Sequence, residues 1–236
     1  LMPRASARFI AGLIALIVAV FAIFAVWPGI DLWVSNQFYL TGRGFPINDQ
    51  PWIEAGRMAV WDASIMLFVG ALLALPVALW RGAWLGLPGR AWGGILLLYV
   101  LGPGLLVDIL LKRHWGRARP VDVAEFGGAL RFTPANEISN QCFRDCSFVS
   151  GEVSGASVLA ICLLLILWFW RSKLSGLAYV FAQITVLAVP VLISVQRIAS
   201  GRHFLSDAIL AALFMVLLAA GVSRLLPVSP PCAKLR

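Results

Sequence analysis

Residues 197–226 read RIASGRHFLSDAILAALFMVLLAAGVSRLL. Arg197, Arg202, His203 and Asp207 crowd the start of the stretch, and an apolar run follows them directly. A run of that length meets the ~20 residues an α-helix needs to cross a bilayer. Charge at the mouth of a membrane span is costly and usually marks a site. Two other polar segments sit against apolar runs in the same way. They are KRHWGRARP at 112–120 and SFVSGE at 147–152.

The whole chain has the composition of a membrane protein. Of its 236 residues 61% are hydrophobic and 13% charged, about half the charged share of a soluble domain. Mean hydropathy is +0.89. Six apolar stretches stand out, at 9–27, 58–80, 92–111, 148–170, 176–196 and 204–226. They lack the period-two alternation of a membrane barrel strand. The expected fold class is therefore all-α: an integral membrane protein of six transmembrane helices forming one domain over 1–236. Gly102-Pro103-Gly104 and Pro190 fall inside the third and fifth spans, where neighbouring helices tolerate such breaks. The first stretch is longer than a signal-peptide core and reads as a retained anchor.

The net charge of +8 does not point to nucleic acid, because the cations sit at span ends and in the three clusters. Six spans place both termini on one side with the 81–91 and 171–175 loops. Those segments carry Arg4, Arg8, Arg81, Arg90, Arg171, Lys173, Arg224, Lys234 and Arg236 and no acid. The positive-inside rule puts them in the cytoplasm. The three polar segments then converge on the outer face, the periplasm in a bacterium, and the membrane is the inner one. Cys142 and Cys146 lie on that side, where an oxidising compartment favours a small-loop disulfide over two free thiols. Cys162 lies within the fourth span, and Cys232 in the tail is uninformative. Trp27, Trp33, Trp52, Trp61 and Trp115 fall where an interfacial aromatic belt is expected.

His203 and Asp207 are four residues apart, so on a helix they share a face. A carboxylate beside an imidazole fixes its tautomer at Nδ1 and leaves Nε2 as a nucleophile for phosphorus. The alternative is a pair that only locks two helix turns. Lys112, Arg117 and Arg119 suit a dianion, since guanidinium forks match phosphate oxygens; they also read as interfacial anchors. Ser150 and Gly151 open the fourth span, offering a hydroxyl and free amides to an anion or simply capping a helix with Glu152 in its first turn.

Taken together the segments run Lys112, Arg119-Pro120; Ser150-Gly151; Arg197, His203, Asp207. This pattern resembles the type 2 phosphatidic acid phosphatase (PAP2) superfamily, which includes the vanadium haloperoxidases. The resemblance covers about 55–226, the N-terminal fifth adding only a span and an outer loop. It implies a PAP2/haloperoxidase-like helical bundle hydrolysing a phosphate monoester without metal or other cofactor. By the same resemblance His203 attacks phosphorus to form a phosphohistidine and Asp207 orients it. Lys112, Arg119, Ser150, Gly151 and Arg197 bind the phosphoryl oxygens, with Arg117 and Arg202 as auxiliary cations.

The chain departs from the family pattern in the second motif, usually Pro-Ser-Gly-His and here Val149-Ser150-Gly151-Glu152, and at Gln196, where the family often has Ser. The second motif usually ends in histidine, which protonates the leaving group, whereas this chain has Glu152. Glu152 is the expected acid/base, with His114 as the fallback. An outward-facing site implies a phosphorylated membrane lipid as partner. The 121–146 segment looks like those of α-proteobacterial lipid A phosphatases, so lipid A is the expected substrate, with the 4′-phosphate favoured over the 1-phosphate. Undecaprenyl pyrophosphate, phosphatidate and phosphatidylglycerophosphate are the alternative substrates. A lipid-to-lipid phosphotransferase and a non-enzymatic membrane protein are the alternative functions.

Overall fold

A computed structural model describes residues 5–228; Arg4, Cys232, Lys234 and Arg236 lie outside them. Among the described residues, six helices are long and apolar enough to span a membrane. In lipid the backbone must satisfy its own hydrogen bonds, and continuous apolar sequence does this as helix. The first span is α1 (Ala7–Val26), whose Ser6 cap accepts the Phe9 amide. A short helix α2 (Gly29–Asn36) and a 3₁₀ turn (Pro46–Asp49) follow. The second span, α3 (Pro51–Arg81), has 31 residues, about 46 Å at 1.5 Å per residue. That exceeds the ~30 Å hydrocarbon core.

A two-stranded hairpin of β1 (Ala83–Trp84) and β2 (Leu87–Pro88) leads into the third span. This span begins as α4 (Gly89–Tyr99) and ends as α5 (Lys112–His114). Between them Val100–Leu111 is wound as a π-helix. Gly102-Pro103-Gly104 therefore widens the helix rather than breaking it. Pro103 has no N–H to give, and the wider turn absorbs that loss. Gly102 lets Met215 pack closely, since a Cβ there would lie 2.7 Å from its sulfur. The last three spans are α6 (Gly151–Phe169), α7 (Gly176–Ala199) and α8 (Leu205–Leu225).

The helix α6 lies centrally, packed on α3, α7, α8 and the third span. Its buried face is rich in small residues, including Ser154, Gly155, Ala156, Ser157 and Ala160, which let helices approach closely in lipid. One end of the bundle is tied by the Ala5 amide to Ser223 Oγ (3.2 Å) and by Trp170 Nε1 to the Leu85 carbonyl (2.8 Å). At the other end a second core of Phe45, Ala118, Val123, Phe126 and Phe204 packs the loops of that end together. Trp115 departs from the belt expectation. It stacks on Phe148 with ring centroids 4.3 Å apart and donates to the Ala135 carbonyl (2.9 Å).

Candidate active site

The three polar segments meet at the loop-covered end. Backbone hydrogen bonds stitch them: Val121 N–H to the Gly201 carbonyl (2.9 Å), Ser147 N–H to that of Arg117 (2.9 Å) and Ser150 N–H to that of Asp207 (3.4 Å). Arg119 precedes Pro120 and is accordingly extended, which ends the third span's polar tail. Ser150 caps α6, its hydroxyl oxygen accepting the Val153 amide, so its own proton stays available. Gly151 admits Lys112, since a Cβ there would lie 2.7 Å from Nζ.

His203 is buried just ahead of α8. Its Nδ1 lies 2.7 Å from the Ser147 carbonyl. A carbonyl only accepts, so Nδ1 carries the proton and the lone pair sits on Nε2. Burial first, then the positive charges of Arg197, Arg119 and Lys112, push this imidazole well below the usual histidine range; the Ser147 bond opposes them. The histidine is thus neutral, with cations from two of the three polar segments near enough for their charge to act on it. Arg119 shows the complementary effect. Burial and the nearby charge of Arg202 lower its pKa, against the carboxylates of Asp145, Asp122 and Glu152. Its Nε is buried without a partner.

The expectation that Asp207 holds His203 directly is corrected. The carboxylate stands 3.9 Å from Nδ1, beyond a hydrogen bond. Asp207 Oδ2 instead accepts from the Ser147 hydroxyl (2.5 Å) and the Phe204 amide (2.9 Å). Asp207 sits in the first turn of α8, where His203 is not yet helical, so the four-residue face argument does not apply. The orienting contact passes through Ser147.

Arg117 is also corrected. It is fully buried and bonds Asp207 (2.6 Å) and Asp31 (2.8 Å), with its guanidinium carbon 4.4 Å over the Phe204 ring. Burial works against its charge, but Asp207 and Asp31 more than offset that and raise its pKa. With its donors committed it does not reach a ligand. Asp31 comes from α2 and also accepts the Ser206 amide (2.9 Å) and hydroxyl (2.5 Å). The N-terminal fifth therefore contributes more than a span and a loop. His114 is exposed, with Nδ1 2.7 Å from the Leu110 carbonyl one turn back. That contact ties it to its own helix, outside the converging residues.

Glu152 lies in the first turn of α6 between two guanidinium groups, Arg57 at 3.0 Å and Arg197 at 3.4 Å. The second is an ion pair without hydrogen-bond geometry, because Glu152 Oε2 and Arg197 Nε both lack a bond. Arg57 also pairs with Glu54. Arg202 lines a cavity of ≈ 340 Å³ with Arg57, Glu152 and Arg197. Cys142 and Cys146 are disulfide-bonded, with Cα atoms 5.5 Å apart, in a loop whose Arg144 and Asp145 line a larger cavity with Lys112 and Gly151. Sequence reading missed Asp31, Arg57 and the part played by Ser147. An acid amid the apolar residues of GIDLWV was a usable signal for Asp31; Arg57 and Ser147 carried none.

The arrangement can grip a tetrahedral dianion and present Nε2 to its phosphorus. Comparison with known proteins agrees. Residues 92–229 match the PAP2 superfamily. The chain is 30% identical to the lipid A 4'-phosphatase of Rhizobium leguminosarum, over 81% of this chain and 85% of that one. It is 33% identical to the lipid A 4'-phosphatase of Rhizobium etli, over 80% and 76%. A solved structure titled as the first transmembrane PAP2 type phosphatidylglycerolphosphate phosphatase from Bacillus subtilis superposes with TM-score 0.50, at 22% identity, over 91% of this chain and 94% of that one. That likeness concerns the fold. The family match and the two Rhizobium relatives establish that this chain belongs to the PAP2 superfamily.

Proposed function

We propose that this membrane lipid phosphatase removes the 4′-phosphate of lipid A through a phosphohistidine on His203. The observation that carries the reading is the neutral imidazole, pinned at Nδ1 by the Ser147 carbonyl and within the field of Arg197, Arg119 and Lys112. The substrate follows the Rhizobium relatives, whose names give lipid A 4'-phosphatase. An apolar cavity of ≈ 540 Å³ adjoins the polar one, with Trp61 and Pro103 lining both, which suits a substrate that is part headgroup and part acyl chain.

In the first step the Nε2 lone pair forms a bond to phosphorus and the P–O bond to the sugar oxygen breaks. Lys112, Arg119, Arg197, the Ser150 hydroxyl and the Gly151 amide carry the charge on the equatorial oxygens. The sugar oxygen leaves as an alcohol with a proton from Glu152. In the second step Glu152 takes a proton from water, whose oxygen bonds to phosphorus as the N–P bond breaks. A bound dianion competes with Glu152 for Arg197, which loosens the carboxylate for this work. Positive charge comes from side chains throughout, so no step calls for a metal or another cofactor.

The chain is a multi-pass membrane protein. We place it in the bacterial inner membrane with the site facing the periplasm and both termini in the cytoplasm. Arg8, Arg81, Arg90, Arg171, Lys173 and Arg224 lie at the end opposite the site, and the disulfide at the site end suits an oxidising compartment.

The test is phosphate release from a panel of defined lipid phosphates by purified protein in detergent with EDTA. Release from lipid A, unaffected by EDTA and lost in His203→Ala, supports the reading. Release from phosphatidate or undecaprenyl pyrophosphate with lipid A untouched refutes the substrate assignment.

A further inference from the structure

The cavity beside the phosphate-gripping residues measures ≈ 770 Å³, far more than a phosphoryl group fills. Lys112 and Gly151 line it, so it is continuous with the reacting centre. Its chemistry is unexpected for a phosphate site, because Asp108, Asp145 and Glu152 also line it. Carboxylates repel phosphate, but they accept strongly from hydroxyl groups. Glu152 is engaged by Arg57 and Arg197, and Asp108 lies 3.4 Å from Lys112. Asp145 is in no ion pair among the described residues. It is exposed, held at φ 53° inside the loop closed by Cys142 and Cys146, and near enough for its charge to act on Arg119. Trp61, 45% exposed, stands where this cavity meets the apolar one.

An indole flanked by carboxylates fits a ring with apolar C–H faces and hydroxyl edges. We propose that this cavity is a sugar subsite: a pyranose ring stacks on Trp61 while its hydroxyls donate to Asp145 and Asp108. The inference rests on the glycolipid reading above and names the residues that select it. Arg113 and Arg144, on the same cavity, donate to ring and glycosidic oxygens. Phosphatidate has no hydroxyl to offer these acids, and a polyprenyl chain has no pyranose.

The experiment compares wild type, Trp61→Leu and Asp145→Asn in detergent micelles. Substrates are a glycolipid phosphorylated on its pyranose and phosphatidate with matching acyl chains. Asparagine tolerates the left-handed backbone at 145, so that variant keeps its loop. Asp145→Asn lowers kcat/KM for the glycolipid at least about tenfold, mainly through KM, the scale of one hydrogen bond to a charged group; Trp61→Leu lowers it about three- to tenfold, the scale of a lost aromatic contact. Phosphatidate hydrolysis, where present, moves less than about twofold, within the range of a lost rim contact. A sugar phosphate without acyl chains inhibits wild type better than glycerol phosphate does, and Asp145→Asn removes the difference. Equal losses on both lipids, or glycolipid turnover unmoved in both variants, overturns the sugar subsite and leaves the phosphatase reading standing. Wild type that cleaves phosphatidate and ignores the glycolipid overturns both.

Discussion

His203 Nδ1 bonds the backbone carbonyl of Ser147 at 2.7 Å, and the Ser147 hydroxyl in turn donates to Asp207 at 2.5 Å. One residue thus orients the nucleophile with its main chain and is itself held by the acid through its side chain. Asp207 then passes to Arg117 and Arg117 to Asp31, so a buried line runs from the imidazole to α2. Each member is tied to the next by a charge-assisted or carbonyl bond, and each can be cut separately.

Ser147→Ala removes the tether to Asp207 but keeps the carbonyl that accepts Nδ1–H. We expect kcat to fall about tenfold with KM little changed, because one hydrogen bond behind the nucleophile is lost. Asp207→Asn disturbs Ser147, the Phe204 amide and Arg117 together and costs more, at least about 10² in kcat for the loss of several charge-assisted bonds. Steady-state kinetics of the two variants checks the ranking; Ser147→Ala more damaging than Asp207→Asn contradicts the relay.

Asp31→Ala leaves Arg117 buried with one carboxylate in place of two. Breaking a buried pair from one side costs about 3–5 kcal/mol, so a large drop in thermal stability in detergent is expected. Asp31→Asn keeps the side-chain volume and one acceptor oxygen and loses less. Unchanged unfolding temperatures would show that α2 is not part of the supporting network.

His203 is held neutral below the usual histidine range, chiefly by burial and then by Arg197, Arg119 and Lys112. In kcat/KM, which reports the free enzyme, loss of activity through its protonation falls below pH ~6.5, the ordinary imidazole value. Stability follows the same sign. Between the folded and unfolded pKa the unfolded chain binds more protons, so this contribution is lost as pH falls through that window and recovers above it. A pH series of kcat/KM and of unfolding temperature, for wild type and His203→Gln, isolates the residue's share.

Arg119→Gln and Arg197→Gln each remove a phosphate cation, and inhibition by inorganic phosphate or vanadate weakens at least about tenfold, the scale of a lost charged hydrogen bond. Arg197→Lys does not restore it, because a point charge cannot replace the planar fork. Inhibition constants at fixed ionic strength measure this. Glu152→Gln retains phosphate inhibition and loses turnover; turnover near wild type would exclude the acid/base role.

The spans were legible because twenty-residue apolar runs allow few structures in lipid. The convergence of Lys112, Arg119, Ser150 and Arg197 on His203 was legible as three polar segments at matching span ends. The contacts of Asp207 and Arg117 were not. Which partner a buried acid or guanidinium takes depends on the fold of the loops over the bundle end, and residues 28–50 and 121–146 have little periodicity to read. The π-helical third span was hidden for a related reason, since Gly102-Pro103-Gly104 signals a disruption without saying how neighbouring helices absorb it.

The most direct measurement is an acid–base stability test of protein labelled by rapid quench with lipid A bearing ³²P at the 4′ position. The wild-type chain is expected to carry transient label that survives alkali, is lost in acid and maps to His203. Phosphate released with no labelled protein at any time, or continued turnover by His203→Ala, would contradict the phosphohistidine.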